Sequence, residues 1–469
     1  MEDPICPIDA KYAGQVSALL TPPPLHQVQE YYEALVSERK CSGLKVKPES
    51  EHGKGVFSEV DFQEGDLILK DQILAGAQHS SNKIDCLVCS FCFRFIGSIE
   101  LQIGRKLYLE ELGIRAVDEC GPSDDEGSCS SSSQKTRLPQ DTIQFLMNGN
   151  LLLPYSEKFP LPSVVSCLGG CLETHYCSQS CAEAEWDLFH SLLCAGKGSS
   201  SPNTKALEEF TKHANGKDAN SFSEFVTVIS STILRYRKLK VVQGEVQGKN
   251  DASCLSNNDI SPFLLEAWKP VSMGFKRRWW ECVALPEDVD SCDEEEFRLQ
   301  IKHLAFESLQ LLKEAIYDEE CAPLFSLDVY GHIIGMFELN NLNLVVASPV
   351  EDYFLFIDDL PLSQKKEAEK ITKSFLDALG DDYSISCEGT AFFPLQSCMN
   401  HSCIPNAKAF KREEDKDGQA TIIAERPIRK GEEITISYID EDLPYKERQE
   451  SLADYGFTCK CPKCIEEEP

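Results

Sequence analysis

The sequence contains no apolar run long enough to cross a membrane. A transmembrane helix needs about 20 consecutive apolar residues, and no segment of the 469-residue chain approaches that length. The first residues, Met1 to Pro4, also lack the basic and apolar regions of a signal peptide. We therefore expect neither a membrane partner nor export.

The sequence is also poor in basic residues. It has 46 Lys and Arg against 77 Asp and Glu, which gives a formal net charge of −31. Binding to nucleic acid needs clustered cations, so we expect no direct sequence-specific DNA binding. An acidic surface favours encounter with basic partners such as lysine-rich protein tails, although acidity also serves solubility alone.

Cysteine, by contrast, is abundant, with 22 residues. In a reducing compartment disulfides are rare, and clustered thiolates more often bind metal. Paired ligands one loop or one helical turn apart reach the same zinc ion, at about 2.3 Å for sulfur. The strongest such pattern is Cys167-x3-Cys171, Cys177-x3-Cys181 and His190-x3-Cys194.

Two tetrahedral zinc sites need one further pair of ligands. Cys86-x2-Cys89-x2-Cys92 supplies three candidates for these two places. A separate group, Cys459-x-Cys461-x2-Cys464, leaves a third zinc ion one ligand short. Because the ligands are spread over structured motifs rather than one dense tract, we do not expect a metal store.

Hydrophobic periodicity predicts an α+β protein. The predicted strands are 44–46, 55–57, 66–69, 333–337, 420–424 and 433–438. Helices are predicted within 1–42 and over 203–214, 222–240, 297–316 and 364–379. Residues 123–133, rich in Ser and acidic side chains, are typical of a disordered insertion, and 244–261 are expected to be loose.

Several further segments stand out as motifs. They are Gly53-Lys54-Gly55-Val56-Phe57, the finger Cys177–Cys194 with Tyr176 and Trp186, Asn400-His401-Ser402-Cys403-Ile404-Pro405-Asn406, Gly431-Glu432-Glu433-Ile434-Thr435-Ile436-Ser437-Tyr438, and Tyr455-Gly456-Phe457-Thr458-Cys459-Lys460-Cys461. Together these segments resemble the SET and MYND domain protein lysine methyltransferases, most closely the plant Trithorax-related proteins. The resemblance implies a SET-domain β-fold split by an inserted MYND zinc finger and a helical insertion, with a zinc-binding post-SET tail.

The same resemblance implies the domain boundaries. They are 1–42 for an N-terminal helical segment, 43–85 for the N-terminal part of the SET domain, 86–194 for the MYND-type finger with its insertion, 195–325 for the helical insertion, 326–440 for the SET catalytic core and 441–469 for the post-SET zinc loop.

The resemblance also completes the zinc ligand sets. Cys89 and Cys92 are preferred over Cys86, because Phe93 follows Cys92 as it often does in the family, and Cys403 supplies the missing ligand of the tail. The pair at 167 and 171 is one residue wider than the family's usual spacing. The implied structural zinc sites are Cys89, Cys92, Cys177 and Cys181; Cys167, Cys171, His190 and Cys194; and Cys403, Cys459, Cys461 and Cys464.

The activity implied by the resemblance is methyl transfer from S-adenosyl-L-methionine to a lysine of a basic protein, with a histone tail as the expected substrate. The implied catalytic residues are Tyr438 and Tyr455. The implied cofactor-binding residues are Gly53, Lys54, Gly55, Glu338, Asn340, Asn400, His401, Tyr438 and Phe457. Residues 341–344 depart from the family pattern beside Glu338 and Asn340.

The competing hypothesis is a catalytically silent adaptor that recruits protein partners through the MYND module. Intact Asn400, His401 and Tyr438 favour the enzyme, because an adaptor has no need of them. Partners at the MYND module are compatible with both hypotheses. The resemblance implies residence in the nucleus, with the cytoplasm as the alternative, since Lys276-Arg277-Arg278 is too short to identify an import signal.

Overall fold

The computed structural model describes residues 2–50, 53–113, 137–201, 203–215, 220–246, 260–286, 289 and 292–468. The Ser-rich insertion predicted at 123–133 and most of the segment 244–261 lie outside these residues. Within the described part of the chain, helices and short strands are mixed, which confirms the predicted α+β class. None of these helices has the length and apolarity needed to span a membrane.

Helices supply most of the regular structure. They are α1 (Pro7–Lys11), α2 (Ala13–Leu20), α3 (Leu25–Glu38), α4 (Asn82–Asp85), α5 (Ile99–Glu111), α6 (Gln140–Met147), α7 (Gln179–Glu185), α8 (Ser191–Leu193), α9 (Thr204–Asn215), α10 (Asn220–Val246), α11 (Pro262–Ser272), α12 (Trp279–Cys282), α13 (Glu294–Ile316), α14 (Leu327–Asn340), α15 (Pro349–Asp358), α16 (Leu362–Leu379), α17 (Tyr445–Asp454) and α18 (Pro462–Glu467). The predicted helices near 203–214, 222–240, 297–316 and 364–379 correspond to α9, α10, α13 and α16.

The strands are short. They are β1 (Leu44–Ser50), β2 (Gly53–Ser58), β3 (Leu67–Asp71), β4 (Ala75–Gln78), β5 (Val165–Ser166), β6 (His175–Tyr176), β7 (Leu342–Val346), β8 (Cys387–Phe392), β9 (Asn400–His401), β10 (Ala407–Ala409), β11 (Ala420–Ala424) and β12 (Glu433–Ile436). They pair in the orders β1-β2-β12-β9, β10-β11-β3, β4-β8-β7 and β5-β6.

The sheet β1-β2-β12-β9 positions the site described below. Along β12 the side chains alternate, so that Ile434 and Ile436 enter the core while Glu433 and Thr435 lie on the opposite face. Strand β9 pairs with β12 in parallel, with Asn400 opposite Thr435 and His401 opposite Ile436. This pairing brings together two segments that are more than thirty residues apart in the sequence.

The predicted strand at 333–337 is wrong, because these residues lie in helix α14. An apolar run this short does not distinguish a buried strand from a buried helix by periodicity. On this helix, a Cβ at Gly331 would lie 2.5 Å from the Trp280 ring, and a Cβ at Gly335 would lie 2.0 Å from the Arg277 carbonyl oxygen. The two glycines therefore let a neighbouring segment pack directly against the helix backbone.

Helices α5, α6 and α15 were not predicted from the sequence. They pack with α16 around a separate apolar cluster that includes Ile103, Leu146 and Tyr353. The first two helices lie between the cysteine pairs of the finger, in a region for which the sequence indicates only zinc ligands and an insertion. The chain between those pairs therefore contributes to a helical core as well as to the finger.

Candidate active site and metal centres

A cavity of about 520 Å³ opens beside the sheet β1-β2-β12-β9. It is lined by Gly53, Lys54, Phe275, Leu339, Asn340, Ser397, Asn400, His401, Ser402, Glu433, Thr435, Tyr438, Tyr455, Gly456, Phe457, Thr458, Cys459, Lys460 and Cys461. Most of the predicted cofactor-binding residues are among them. Gly55 and Glu338 are not.

Asn400 ties two strands together at the floor of the cavity. Its side-chain N–H groups donate to the backbone carbonyl of Lys54, at 3.0 Å, and to the carboxylate of Glu433, at 2.8 Å. Asn406, the last residue of the same sequence motif, is buried and accepts a hydrogen bond from the backbone N–H of Thr435 at 2.8 Å. The two amides fix the spacing between β2, β9 and β12.

Both ring nitrogens of His401 face protein groups. Nδ1 accepts a hydrogen bond from the backbone N–H of Tyr438 at 3.1 Å, and Nε2 lies 3.2 Å from Sγ of Cys403. Burial lowers the pKa of His401 to about 4, and the positive charge of Arg448 contributes to this shift. A neutral imidazole carries one N–H, so the bond at Nδ1 assigns the proton to Nε2.

Tyr438 lies at the end of the segment that follows β12. Its hydroxyl donates to the backbone carbonyl of Met399 at 2.6 Å. Burial raises the pKa of Tyr438 above its usual value, with smaller contributions from Cys398, Tyr455 and Glu433. The hydroxyl therefore stays protonated near neutral pH, and its oxygen retains lone pairs that accept further contacts.

Aromatic side chains from the tail enclose the tyrosine. The ring centroid of Tyr455 lies 5.2 Å from that of Tyr438, and the Phe457 ring lies 6.4 Å from it and 6.0 Å from His401. Burial raises the pKa of Tyr455. With a relative exposure of 38%, Phe457 forms part of the cavity's open wall.

The side chains of Lys54 and Asn340 hydrogen-bond to other protein groups. The ammonium of Lys54 donates to the Met273 carbonyl and to the Tyr32 hydroxyl, so it is the backbone of Lys54 that faces Asn400. The amide of Asn340 donates to the carbonyl of Phe275 at 2.9 Å. Asn340 thereby holds Phe275, which lines the cavity.

Phe275, Leu339, Glu433 and Thr435 line the cavity but were not identified from the sequence as site residues. The alternation of side chains along β12 could have identified Glu433 and Thr435, because it places both on the face opposite the core. Phe275 follows a helix of the insertion, and no local pattern connects it to a site formed by strands far away in sequence.

Twelve cysteine and histidine side chains converge in three groups of four. They are Cys89, Cys92, Cys177 and Cys181; Cys167, Cys171, His190 and Cys194; and Cys403, Cys459, Cys461 and Cys464. Contacting sulfur atoms within the groups are 3.5 to 4.0 Å apart. A tetrahedron with zinc–sulfur bonds of about 2.3 Å has edges of about 3.8 Å. The donor sets therefore fit zinc.

The position of Cys86 differs from that of the other two candidates in its motif. Its Sγ contacts the carbonyl oxygens of Ile385 and Ser386, at 3.5 and 3.4 Å, outside the cluster that contains Cys89 and Cys92. The desolvated thiol has a pKa raised to about 12, chiefly by burial. Both observations describe a core thiol rather than a thiolate ligand.

Glycine explains the wider spacing of Cys167 and Cys171. Gly170 has a positive φ of 75°, which a residue with a side chain rarely adopts. At Gly169 a Cβ would lie 2.5 Å from Sγ of Cys194, while its N–H donates to Sγ of Cys167 at 3.3 Å. The extra residue is therefore accommodated in a tight loop around the sulfur atoms.

Comparisons with known proteins agree with this geometry. The SET domain family matches residues 53–439. The histone-lysine N-methyltransferase ATXR2 of Arabidopsis thaliana is 60% identical over 476 residues, covering 99% of each chain. The protein-lysine N-trimethyltransferase SMYD5 of Gallus gallus is 23% identical over 436 residues, covering 89% of this chain and 84% of the relative. This chain therefore belongs to the SET-domain family of protein lysine methyltransferases.

Proposed function

We propose that the protein transfers a methyl group from S-adenosyl-L-methionine to a lysine side chain of a histone tail. The observation that carries this proposal is the convergence of Asn400, His401, Tyr438 and Phe457 on one cavity. The name and 60% identity of the Arabidopsis relative support the histone as substrate. The net charge of −31 agrees with a basic partner.

We propose that the floor and open wall of the cavity hold the cofactor. The backbone of Gly53 and Lys54, together with Asn400, His401 and Phe457, would contact it, while Asn340 acts by fixing Phe275. Because both ring nitrogens of His401 face protein groups, this residue would contribute its backbone and ring face. Gly55 is buried outside the lining and Glu338 is exposed outside it, so direct contact is not proposed for either.

The chemistry requires a neutral amine beside a methyl donor. S-adenosyl-L-methionine, when bound, supplies a methyl group on a positively charged sulfur. An unperturbed lysine has a pKa of about 10.4, and an aromatic channel formed by Tyr438, Tyr455 and Phe457 would disfavour the ammonium by desolvation. The amine would lose its proton to solvent, and its nitrogen would then form the new N–C bond as the S–C bond of the methyl donor breaks.

Tyr438 would align the reacting groups without accepting a proton. Its O–H donates to the carbonyl of Met399, and burial keeps the hydroxyl protonated. The remaining lone pairs of the oxygen would face the methyl group and the amine. Positioning of this kind supplies much of the rate in a displacement reaction. Tyr455, whose hydroxyl lies 3.5 Å from the carbonyl oxygen of Tyr438, would form the channel wall.

We further propose that the three groups of four ligands hold structural zinc. Four protein ligands leave no open position for a catalytic water. We retain the domain boundaries 1–42, 43–85, 86–194, 195–325, 326–440 and 441–469 as a proposal, with the helices α5 and α6 added to the third. Action on histones also favours the nucleus as the site of residence.

The decisive experiment incubates purified full-length protein with isotopically labelled S-adenosyl-L-methionine and core histones. Mass spectrometry should find labelled methyl groups on lysine, and the Tyr438→Phe protein should produce at least about a hundredfold less. Methylation of a basic non-histone protein instead would confirm lysine methylation but reject the histone as substrate. Absence of methylation on every basic protein tested would reject the proposal.

A second candidate function is recruitment of a protein partner by the finger. Between Cys167 and Cys194 three large apolar side chains are exposed, namely Leu168 at 44%, Leu172 at 89% and Leu188 at 50%. A contiguous exposed apolar patch is typical of an interaction surface, whereas single exposed apolar residues are common on any protein. Cross-linking mass spectrometry in nuclear extract should identify partners that Leu172→Asp loses while histone methylation is retained. An unchanged set of cross-linked partners would count against this function.

A further inference from the structure

A buried arginine contacts the tail cluster formed by Cys403, Cys459, Cys461 and Cys464. Arg448 lies on helix α17 with a relative exposure of 1%. One terminal nitrogen of its guanidinium lies 3.7 Å from Sγ of Cys464 and 2.6 Å from the carboxylate of Glu467, and the other donates to the Leu443 carbonyl at 2.5 Å. An arginine is charged at any physiological pH, so a full positive charge is buried here.

The tail cluster needs that charge if it holds zinc. Four thiolates around one Zn²⁺ leave a net charge of about −2. Cys403, Cys459 and Cys464 are at most 7% exposed, so water screens this charge poorly. A backbone N–H already donates to Sγ of Cys459 at 3.4 Å. Buried charges are costly unless they are paired and hydrogen-bonded.

We propose that Arg448 is a positioning residue that neutralises part of the tail cluster's charge and thereby retains its zinc ion. The inference rests on the proposal that this cluster binds zinc. Groups that hydrogen-bond to metal ligands commonly change metal affinity by about 10- to 100-fold. The arginine acts through the thiolates and does not touch the cavity.

The tail cluster is connected to the cavity by direct contacts. Cys403, one of the four ligands, lies 3.2 Å from Nε2 of His401, whose Nδ1 is bonded to the N–H of Tyr438. Cys459 and Cys461 lie shortly after Phe457 in the chain and line the cavity themselves. Loss of this zinc ion would therefore loosen both the open wall and the orientation of the imidazole.

A purely structural role for Arg448 makes a different prediction. Its ion pair with Glu467 ties α17 to α18, and the arginine would then serve only to hold the last helix. In that case Glu467→Gln should release zinc as readily as Arg448→Met. If the arginine compensates the thiolates, Glu467→Gln should retain zinc, because the positive charge remains beside Cys464.

The test measures zinc retention in the full chain. Native mass spectrometry counts zinc ions per protein during titration with a chelator, and cysteine alkylation identifies the cluster that opens. We expect Arg448→Met to lose one of three zinc ions at a chelator concentration at least about tenfold lower than wild type, with alkylation at Cys459, Cys461 and Cys464. The two finger sites serve as the internal control. Arg448→Lys and Glu467→Gln should behave like wild type.

Two results would overturn the role of Arg448. One is an Arg448→Met protein that keeps all three ions at the wild-type chelator concentration, and the other is equal loss from Glu467→Gln. If Arg448→Met fails to fold, Arg448→Lys becomes the decisive variant, because it keeps the positive charge and loses only the planar geometry of the guanidinium. Zinc loss from Arg448→Lys would also reject the inference. A wild-type protein without zinc at its tail would instead reject the underlying zinc site.

Discussion

The Nδ1 atom of His401 accepts a hydrogen bond from the backbone N–H of Tyr438 at 3.1 Å, and the two ring centroids are 5.3 Å apart. This bond joins Tyr438, just after β12, to His401, the last residue of β9. It therefore extends the parallel pairing of the two strands by one hydrogen bond to a side chain. Since Nε2 of the same ring faces Cys403, the histidine links Tyr438 to the tail cluster. The position of Tyr438 therefore depends on both neighbours.

His401→Ala should weaken cofactor binding. The substitution leaves the N–H of Tyr438 without its partner and removes a ring that packs near Phe457. Leaving a buried N–H without its partner costs about 1–3 kcal/mol, so we expect calorimetry with S-adenosylhomocysteine to show at least about fivefold weaker binding. His303→Ala is the control, because this partly buried imidazole on α13 contacts the Glu2 carbonyl and does not line the cavity; it should bind normally. Equal affinities of the two variants would remove His401 from the site.

Tyr438→Phe should abolish catalysis selectively. The ring is conserved, but the hydroxyl that bonds to the Met399 carbonyl is lost. We expect turnover to fall at least about a hundredfold, equivalent to about 2.7 kcal/mol in the barrier, with cofactor affinity nearly unchanged. Tyr455→Phe, which removes only a contact of 3.5 Å, should fall by less than about tenfold. Full activity of Tyr438→Phe on the true substrate would show that the catalytic tyrosine lies elsewhere.

The extent to which sequence predicts this fold differs between elements. Long amphipathic segments such as α13 and α16 are identified by their periodicity, because one face must be apolar. Residues 333–337 of helix α14 are all buried, so this run shows no helical periodicity and resembles a buried strand. Its identity is decided by tertiary packing, in which Gly331 and Gly335 admit a neighbouring segment.

In the candidate site, too, some features can be predicted from the sequence and others depend on tertiary packing. Spacing alone leaves Cys86, Cys89 and Cys92 open as zinc ligands, and the family resemblance favours the last two. The folded chain places Cys89 and Cys92 in one cluster and the Cys86 thiol outside it. Phe275 reaches the cavity because the Asn340 amide holds its backbone. Such a contact joins residues 65 positions apart and has no local signature.

Zinc analysis should find three ions per chain, and Cys461→Ala should remove one of them. The remaining tail cysteines would then leave the ion one ligand short, which should lower both cofactor affinity and turnover because Phe457 and Tyr455 lose their anchor. Cys86→Ser is the matched control, since this thiol contacts backbone carbonyls outside the finger cluster. Zinc loss from Cys86→Ser, or one ion or none in the native protein, would contradict the assignment.

A buried carboxyl on helix α10 should make stability depend on pH. Glu224 is fully buried on α10 and accepts hydrogen bonds from the amide of Asn341, at 2.7 Å, and the hydroxyl of Thr390, at 2.8 Å. Burial raises its pKa from 4.5 to about 7, against the opposing effect of these two bonds. The folded protein therefore retains this proton at pH values where the unfolded chain has lost it.

The sign of the effect follows from proton linkage. Between pH 4.5 and about 7 the folded state binds more protons at Glu224, so its contribution to stability falls as pH rises and is lost above the folded pKa. In Glu224→Gln the side chain at this position is neutral at every pH. When the pH rises from about 6 to about 8.5, the free energy of unfolding of this variant should therefore fall by about 1 kcal/mol less than that of wild type. Denaturant titrations at both pH values measure this difference, with the exposed Glu307→Gln as control. An equal pH dependence in Glu224→Gln and wild type would show that this carboxyl is already ionised in the folded protein at the lower pH.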